Sequence, residues 1–245
     1  MRVEPLEDDT HGGGATAGSV TVINATSASS SSSRKPLRMV LQRVEVHSID
    51  GINVHDQTFQ ARLYIVIVLP GAARDPDLRK DSAEFPIDEH GNPTFKPAAK
   101  WYLEKFDFIN CDGTDRHTLD QTAVAVGDDM ELRMRYAGSF HQHMDLSSFP
   151  FDDQILQASL ALYCRSDGPL AVQLEVADKV HLDIVQSGFC LEHLWELDRS
   201  ITVYQSACLL GGRHFPMLNV GVHVVRRPKW VGALQPLPSP PATRT

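Results

Sequence analysis

A chain of 245 residues, 42% apolar and 22% charged, is long enough to bury one sizeable core and to remain a single main domain. Its formal net charge of −8 excludes a nucleic-acid surface, which needs clustered Lys and Arg to neutralise phosphates. The cysteines Cys111, Cys164, Cys190 and Cys208 lack the CxxC spacing of a zinc knuckle or a thioredoxin-type site.

Residues 1–36, with HGGGATAG and TSASSSSSRKP, carry too little apolar content to offset ordering entropy and are expected to be a disordered tail. The opening MRVEPLEDDTHGGG lacks the basic-then-apolar order of a secretory signal, so no signal peptide is expected. Residues 37–230 form the expected domain. In its first strand Val40, Val44 and Val46 oppose Leu41, Arg43 and Glu45; in the second Phe59, Ala61, Leu63, Ile65 and Ile67 oppose Gln60, Arg62 and Tyr64. The apolar run LYIVIVL is strand-sized, short of the roughly 18 to 20 residues that cross a bilayer, so no transmembrane helix is expected.

The Pro-rich stretch from Pro70 to Lys100 is too long for a hairpin and predicts a short helix or a functional excursion. Beyond it, period-two alternation returns at Met130–Phe140, Leu156–Leu162, Leu170–Val176, Ile201–Val203 and Leu218–Val224. About ten such strands with no long amphipathic helix predict an all-β fold, an immunoglobulin-like antiparallel β-sandwich. Residues 231–245, with LPSPP, read as a proline-rich tail unable to join a ladder.

This alternation puts four aromatics, Tyr64, Tyr163, Tyr204 and Phe215, on outward faces. Single outward aromatics are ordinary; together they suit a box that holds a cation against ring faces. Two other chemistries compete. His141, His143 and Asp145, at i, i+2 and i+4, are expected on one strand face, a possible metal set without a completing Glu or Cys. Ser139 and Ser147 lie near histidines, but no GxSxG elbow exists. The chain is therefore expected to be no enzyme and to use no cofactor and no metal.

The stretch GSFHQHMDLSSFPFDDQ resembles the signature loop of the pentameric ligand-gated ion channels, the Cys-loop receptor superfamily. INVHDQTFQARLYIVIV resembles that family's second strand, WYLEKFDFIN the segment leading to its first binding loop, and VVRRPKW the segment before its first membrane helix. The resemblance covers about residues 38–230. The cysteines that close the loop in animal receptors would fall at Gln142 and Leu156, so that disulfide cannot form; bacterial members likewise lack it. The four membrane helices that follow the pre-membrane segment in a complete channel are missing from this chain.

The resemblance implies an extracellular ligand-binding domain at a membrane, binding a small molecule, expected to carry an amine, between the subunits of a homo- or hetero-pentamer. Membrane contact would come only through the missing pore domain. One subunit face would use Asp107, Phe108, Tyr163, Tyr204 and Phe215; its neighbour's would use Tyr64 and Arg62. Vicinal cysteines are absent, since Cys208 stands alone, which disfavours acetylcholine. Phe149, Pro150, Phe151 and Asp152 would form a rigid charged foot, its two phenylalanines anchored in apolar surroundings, and Asp152 would pair with Arg226. At a solvated edge that pair is expected to contribute only roughly 0 to 1 kcal/mol. The competing readings are a soluble binding or assembly module without channel activity and, more remotely, a metal-dependent enzyme using His141 and His143.

Overall fold

The computed structural model describes residues 35–83, 87, 89–90, 97–111, 117–166, 170–185, 189 and 191–227. The tails expected at 1–36 and 231–245 lie outside these residues, apart from 35 and 36, as do the last residues of the expected domain.

Nine strands among the described residues form a two-layer β-sandwich: β1 (Leu37–Asn53), β2 (Thr58–Leu69), β3 (Phe106–Phe108), β4 (His117–Val126), β5 (Asp129–His141), β6 (Asp153–Leu162), β7 (Val172–Ile184), β8 (Trp195–Leu210) and β9 (Arg213–Arg226). One sheet has the order β4-β5-β2-β1-β7 and the other β3-β6-β9-β8. Between Pro70 and Lys100 the described residues show a 3-10 turn at Ala72–Arg74 and the start of a short helix, α1 (Ala99–Leu103). Among the described residues no helix is long and apolar enough to cross a membrane.

The pairing is antiparallel with one exception. β1 and β7 run parallel, Leu37 opposite Val172. The chain reaches β7 from β6 by passing between sheets rather than through a hairpin, so no tight turn imposes the opposite direction.

The core is the predicted alternation, interrupted by three register shifts along β1. Phe59, Ala61, Leu63, Ile65 and Ile67 of β2 are buried in one apolar cluster with Met130, Leu132, Met134, Tyr136 and Phe140 of β5. Leu156, Ala158, Leu160 and Leu162 of β6 and Leu218, Val220, Val222 and Val224 of β9 supply the facing layer. Each Val, Leu, Ile, Met or Phe among them contributes about 1.5–3 kcal/mol on burial. In β1, however, Met39 and Leu41 are buried together with Val44 and Val46, whereas Val40 is only half-buried. The ladder steps from Leu41↔Ile67 to Arg43↔Val66, so Gln42 is an extra residue on β1, and this bulge moves the core face from odd to even positions.

At one end of the sandwich β8 and β9 meet in a tip whose Gly211 and Gly212 both have positive φ, 57° and 74°. A two-residue hairpin turn of this hand demands that conformation twice, which is why the tip is Gly-Gly. The opposite end gathers the β1–β2 turn, residues 142–152, the residues before β8 and the exit from β9. The Gln142 amide donates to the Gln57 carbonyl at 2.8 Å, and the Arg227 amide to that of Leu194 at 2.8 Å.

Candidate functional site

Asp152 and Arg226 are 74 residues apart in sequence and meet at this second end. Arg226 Nε donates to Asp152 Oδ1 at 2.6 Å and Nη2 to Oδ2 at 3.2 Å, a two-pronged contact. The Arg226 amide also donates to the Asp152 carbonyl at 3.0 Å. Gln154 Nε2 donates to Asp152 Oδ2 at 3.1 Å and to the Asp145 carbonyl at 2.6 Å, tying the pair to the start of the loop.

The guanidinium lies between two rings, 4.2 Å from the centroid of Trp195 and 5.0 Å from that of Phe149. Both positions allow the ring quadrupole to attract the cation. Burial alone would raise the Asp152 pKa; the hydrogen bonds from Arg226 and Gln154 and the Arg226 charge outweigh it and hold the carboxyl below its ordinary value.

Two expectations are corrected here. The pair is not solvated: the Asp152 and Arg226 side chains are only 1% and 15% exposed. Nor are the phenylalanines anchored in apolar surroundings, since Phe149 is 54% and Phe151 65% exposed. The paired charge goes inside because Arg226 and Gln154 satisfy it. With Leu146 and Leu194, also exposed, the rings leave apolar surface at the end where the chain leaves β9. Pro150 follows a cis peptide bond between the two rings.

The proposed ligand residues fall in two groups. On the outward face of the four-stranded sheet, the register sets Asp107, Ala161, Met217 and Ser206 in one row. The next row toward the tip holds Tyr163, Phe215 and Cys208; the row on the other side holds Ser159, Asn219 and Tyr204. Tyr163 and Phe215 meet edge to face, 5.6 Å between centroids. Tyr204 shares the face, but its hydroxyl donates to Gln157 Oε1 at 2.7 Å. An aromatic pair, a carboxylate one row below and a third aromatic beyond it make a surface suited to an ammonium group.

Tyr64 and Arg62 lie on the other sheet, so one chain cannot bring them to this surface. Arg62 is exposed, with Nε 3.8 Å from Asp50 Oδ2. The Tyr64 ring already carries a cation, the Arg135 guanidinium 5.3 Å from its centroid, and is not a vacant cation face. Phe108 is a correction as well. It alternates inward on β3, is buried, and packs edge to face on Tyr136 and Phe140 at 4.9 and 5.1 Å. Phe108→Leu is therefore expected to lower stability by roughly 1–2 kcal/mol and to leave ligand affinity of the folded protein unchanged, as urea unfolding and calorimetry on one preparation will show.

The metal alternative loses its geometric basis. β5 ends at His141, so His143 and Asp145 do not continue its face, and Asp145 Oδ1 instead accepts the Ser147 amide at 2.9 Å. No group of three or more metal-ligating side chains exists among the described residues.

Sequence reasoning missed a polar network on the outward face of the four-stranded sheet. Gln157 Nε2 donates to Ser159 Oγ at 3.0 Å and Asn219 Oδ1 at 3.1 Å; Ser159 Oγ donates to Asn219 Oδ1 at 2.8 Å, and Asn219 Nδ2 to Ser206 Oγ at 2.7 Å. Asn219 is 1% exposed, and among the described residues no buried side-chain polar atom lacks a partner. The signal available in sequence was a Gln, two Ser and an Asn in strands where threonine and charged residues usually face solvent. No family model matches this chain, and no curated protein matches it.

Proposed function

We propose that this chain is the extracellular ligand-binding domain of a pentameric ligand-gated ion channel, without enzymatic activity. It binds a small amine-bearing molecule where Tyr163, Phe215 and Asp107 of one subunit face Arg62 and the Tyr64 strand of the next. The observation that carries this reading is the Asp152–Arg226 contact, because the motif resemblance pairs these two residues across 74 positions on grounds independent of the fold.

The strand layout gives the reading a physical route. β9 carries both Phe215 and Arg226, and β8 carries both Tyr204 and Trp195, so the ligand face and the charged foot stand on the same two strands. Phe215 and Arg226 are eleven residues apart, on the order of 36 Å at strand rise. Ligand that favours one position of the β8–β9 tip shifts the population of states at the Asp152–Arg226 end. The exposed Phe149 and Phe151 then rest on the pore domain at the membrane surface.

Because the site is shared between subunits, binding follows assembly. Calorimetry with primary amines across a range of protein concentrations is expected to give affinity that rises with association and falls at least about tenfold in Tyr163→Ala, the loss of one ring from a cation site. Full-strength binding by a strict monomer, or no loss in the variant, sinks the interface site and favours a self-contained binding module.

A further inference from the structure

We infer that Asn110 is a positioning residue that fixes the ligand face of the four-stranded sheet to the start of the 142–152 loop. β3 leaves the sheet after Phe108, opening the edge of β6 at Gln157 and Ser159. The Asn110 carboxamide takes the place of the missing strand there. Its Nδ2 donates to the Gln157 carbonyl at 2.7 Å and its Oδ1 accepts the Ser159 amide at 2.9 Å, as a peptide group of a neighbouring strand would. The adjacent Ile109 amide donates to the Ser159 carbonyl at 3.0 Å.

The same residue holds the other sheet. Asn110 Nδ2 also donates to the His141 carbonyl at 3.0 Å, and the His141 amide donates to the Asn110 carbonyl at 2.7 Å. Cys111 then bridges to Phe140. His141 is the last residue of β5, and the loop that ends at Asp152 begins at the next residue.

Gln157 is the junction. Its backbone carbonyl is held by Asn110, while its side chain accepts the Tyr204 hydroxyl and donates to Asn219 and Ser159. A continuous series of hydrogen bonds therefore runs from Tyr204 through Gln157 and Asn110 to His141, independent of the longer route along β8 and β9. Its role in signalling rests on the channel reading above; its mechanical role does not.

The test uses no ligand, so its failure is separate from failure of that reading. Amide hydrogen exchange is measured on the intact chain and on Asn110→Ala, Tyr204→Phe and the double variant. In Asn110→Ala, exchange at Ser159 and at 141–144 is expected to rise about tenfold, with the β1–β2 amides near Val44 and Ile65 unchanged. Tyr204→Phe, a milder change on the far side of Gln157, is expected to speed exchange at 141–144 about threefold and to add nothing in the Asn110→Ala background. A uniform rise that includes β1–β2 indicates loss of global stability alone and overturns the assignment. So does an unchanged rate at 141–144 in Tyr204→Phe, which decides the matter even if Asn110→Ala does not fold, or an equal Tyr204→Phe effect in both backgrounds.

Discussion

Arg226→Ala is expected to cost about 3–5 kcal/mol of folding stability, the range for breaking a buried ion pair by removing one partner. The reason is the Asp152 carboxylate left behind: its side chain is 1% exposed, and Gln154 alone cannot replace two guanidinium hydrogen bonds. Asp152→Ala strands a cation instead, which keeps its two aromatic faces and 15% exposure and so costs somewhat less. Replacing both with apolar residues, Asp152→Leu with Arg226→Met, is expected to cost less than either single change, because no unpaired charge remains. Acid provides a second arm. The folded pKa of Asp152 lies below its unfolded value of about 3.9, so its contribution is fully present above that value and is lost as pH falls through the folded one. The gap between wild type and Asp152→Asn should therefore narrow below about pH 4. Urea unfolding of the set at neutral and acid pH measures both effects; single variants within 1 kcal/mol of wild type would mean a solvated pair.

Much of the sandwich was legible because a strand with one wet face writes its burial in alternate letters. β2, β5, β6 and β9 keep phase over their core-facing residues, and their alternate apolar positions are those found buried. β1 was misread at Val40 and Leu41 for a reason no pattern count detects. Both residues are apolar, and the extra residue that flips the phase, Gln42, carries no Gly or Pro to announce a bulge. The parallel β1–β7 pair was equally hidden, since alternation fixes the face of a strand but not its direction.

The candidate site divides along the same line. Asp152 and Arg226 were found through motif resemblance, not through spacing; nothing local to either residue names the other. Their burial was misjudged because a charge in a Pro-centred turn normally sits in water, and only the three-dimensional partners Gln154, Trp195 and Phe149 reverse that. Phe108 was misassigned because a three-residue strand gives alternation too little length to set its phase. The Gln157–Asn219–Ser206 network escaped because its members come from three strands and are polar one at a time. Trp195 escaped through register. Counted back from Gly211-Gly212 without interruption, Arg226 would face Leu197; the shift between Leu197 and Ile201 moves Trp195 opposite it.

That displaced tryptophan carries the other large expected effect. Trp195→Ala is expected to cost about 3–5 kcal/mol, the range for truncating a large buried aromatic. Trp195 is 2% exposed, belongs to the main apolar cluster, and forms one wall of a cleft of about 300 Å³ with Ile184, Phe189 and Leu197. Opening that wall joins the cavity to the cleft, so water reaches the guanidinium of Arg226 from the side the indole now covers. Solvent access weakens the Asp152–Arg226 attraction by raising the local dielectric. The cost of Trp195→Ala should therefore overlap with that of Arg226→Ala, and the double variant should fall short of the sum of the two single changes by at least about 1 kcal/mol. Trp195→Phe separates packing from charge: it retains a ring beside the guanidinium and should recover most of the coupling while losing part of the packing. Urea unfolding of wild type, Trp195→Ala, Trp195→Phe, Arg226→Ala and the two double variants decides between the two descriptions. If the losses from Trp195→Ala and Arg226→Ala simply add, the indole is a core residue with no hold on the pair, and the foot of the sandwich is organised by Asp152, Gln154 and Arg226 alone.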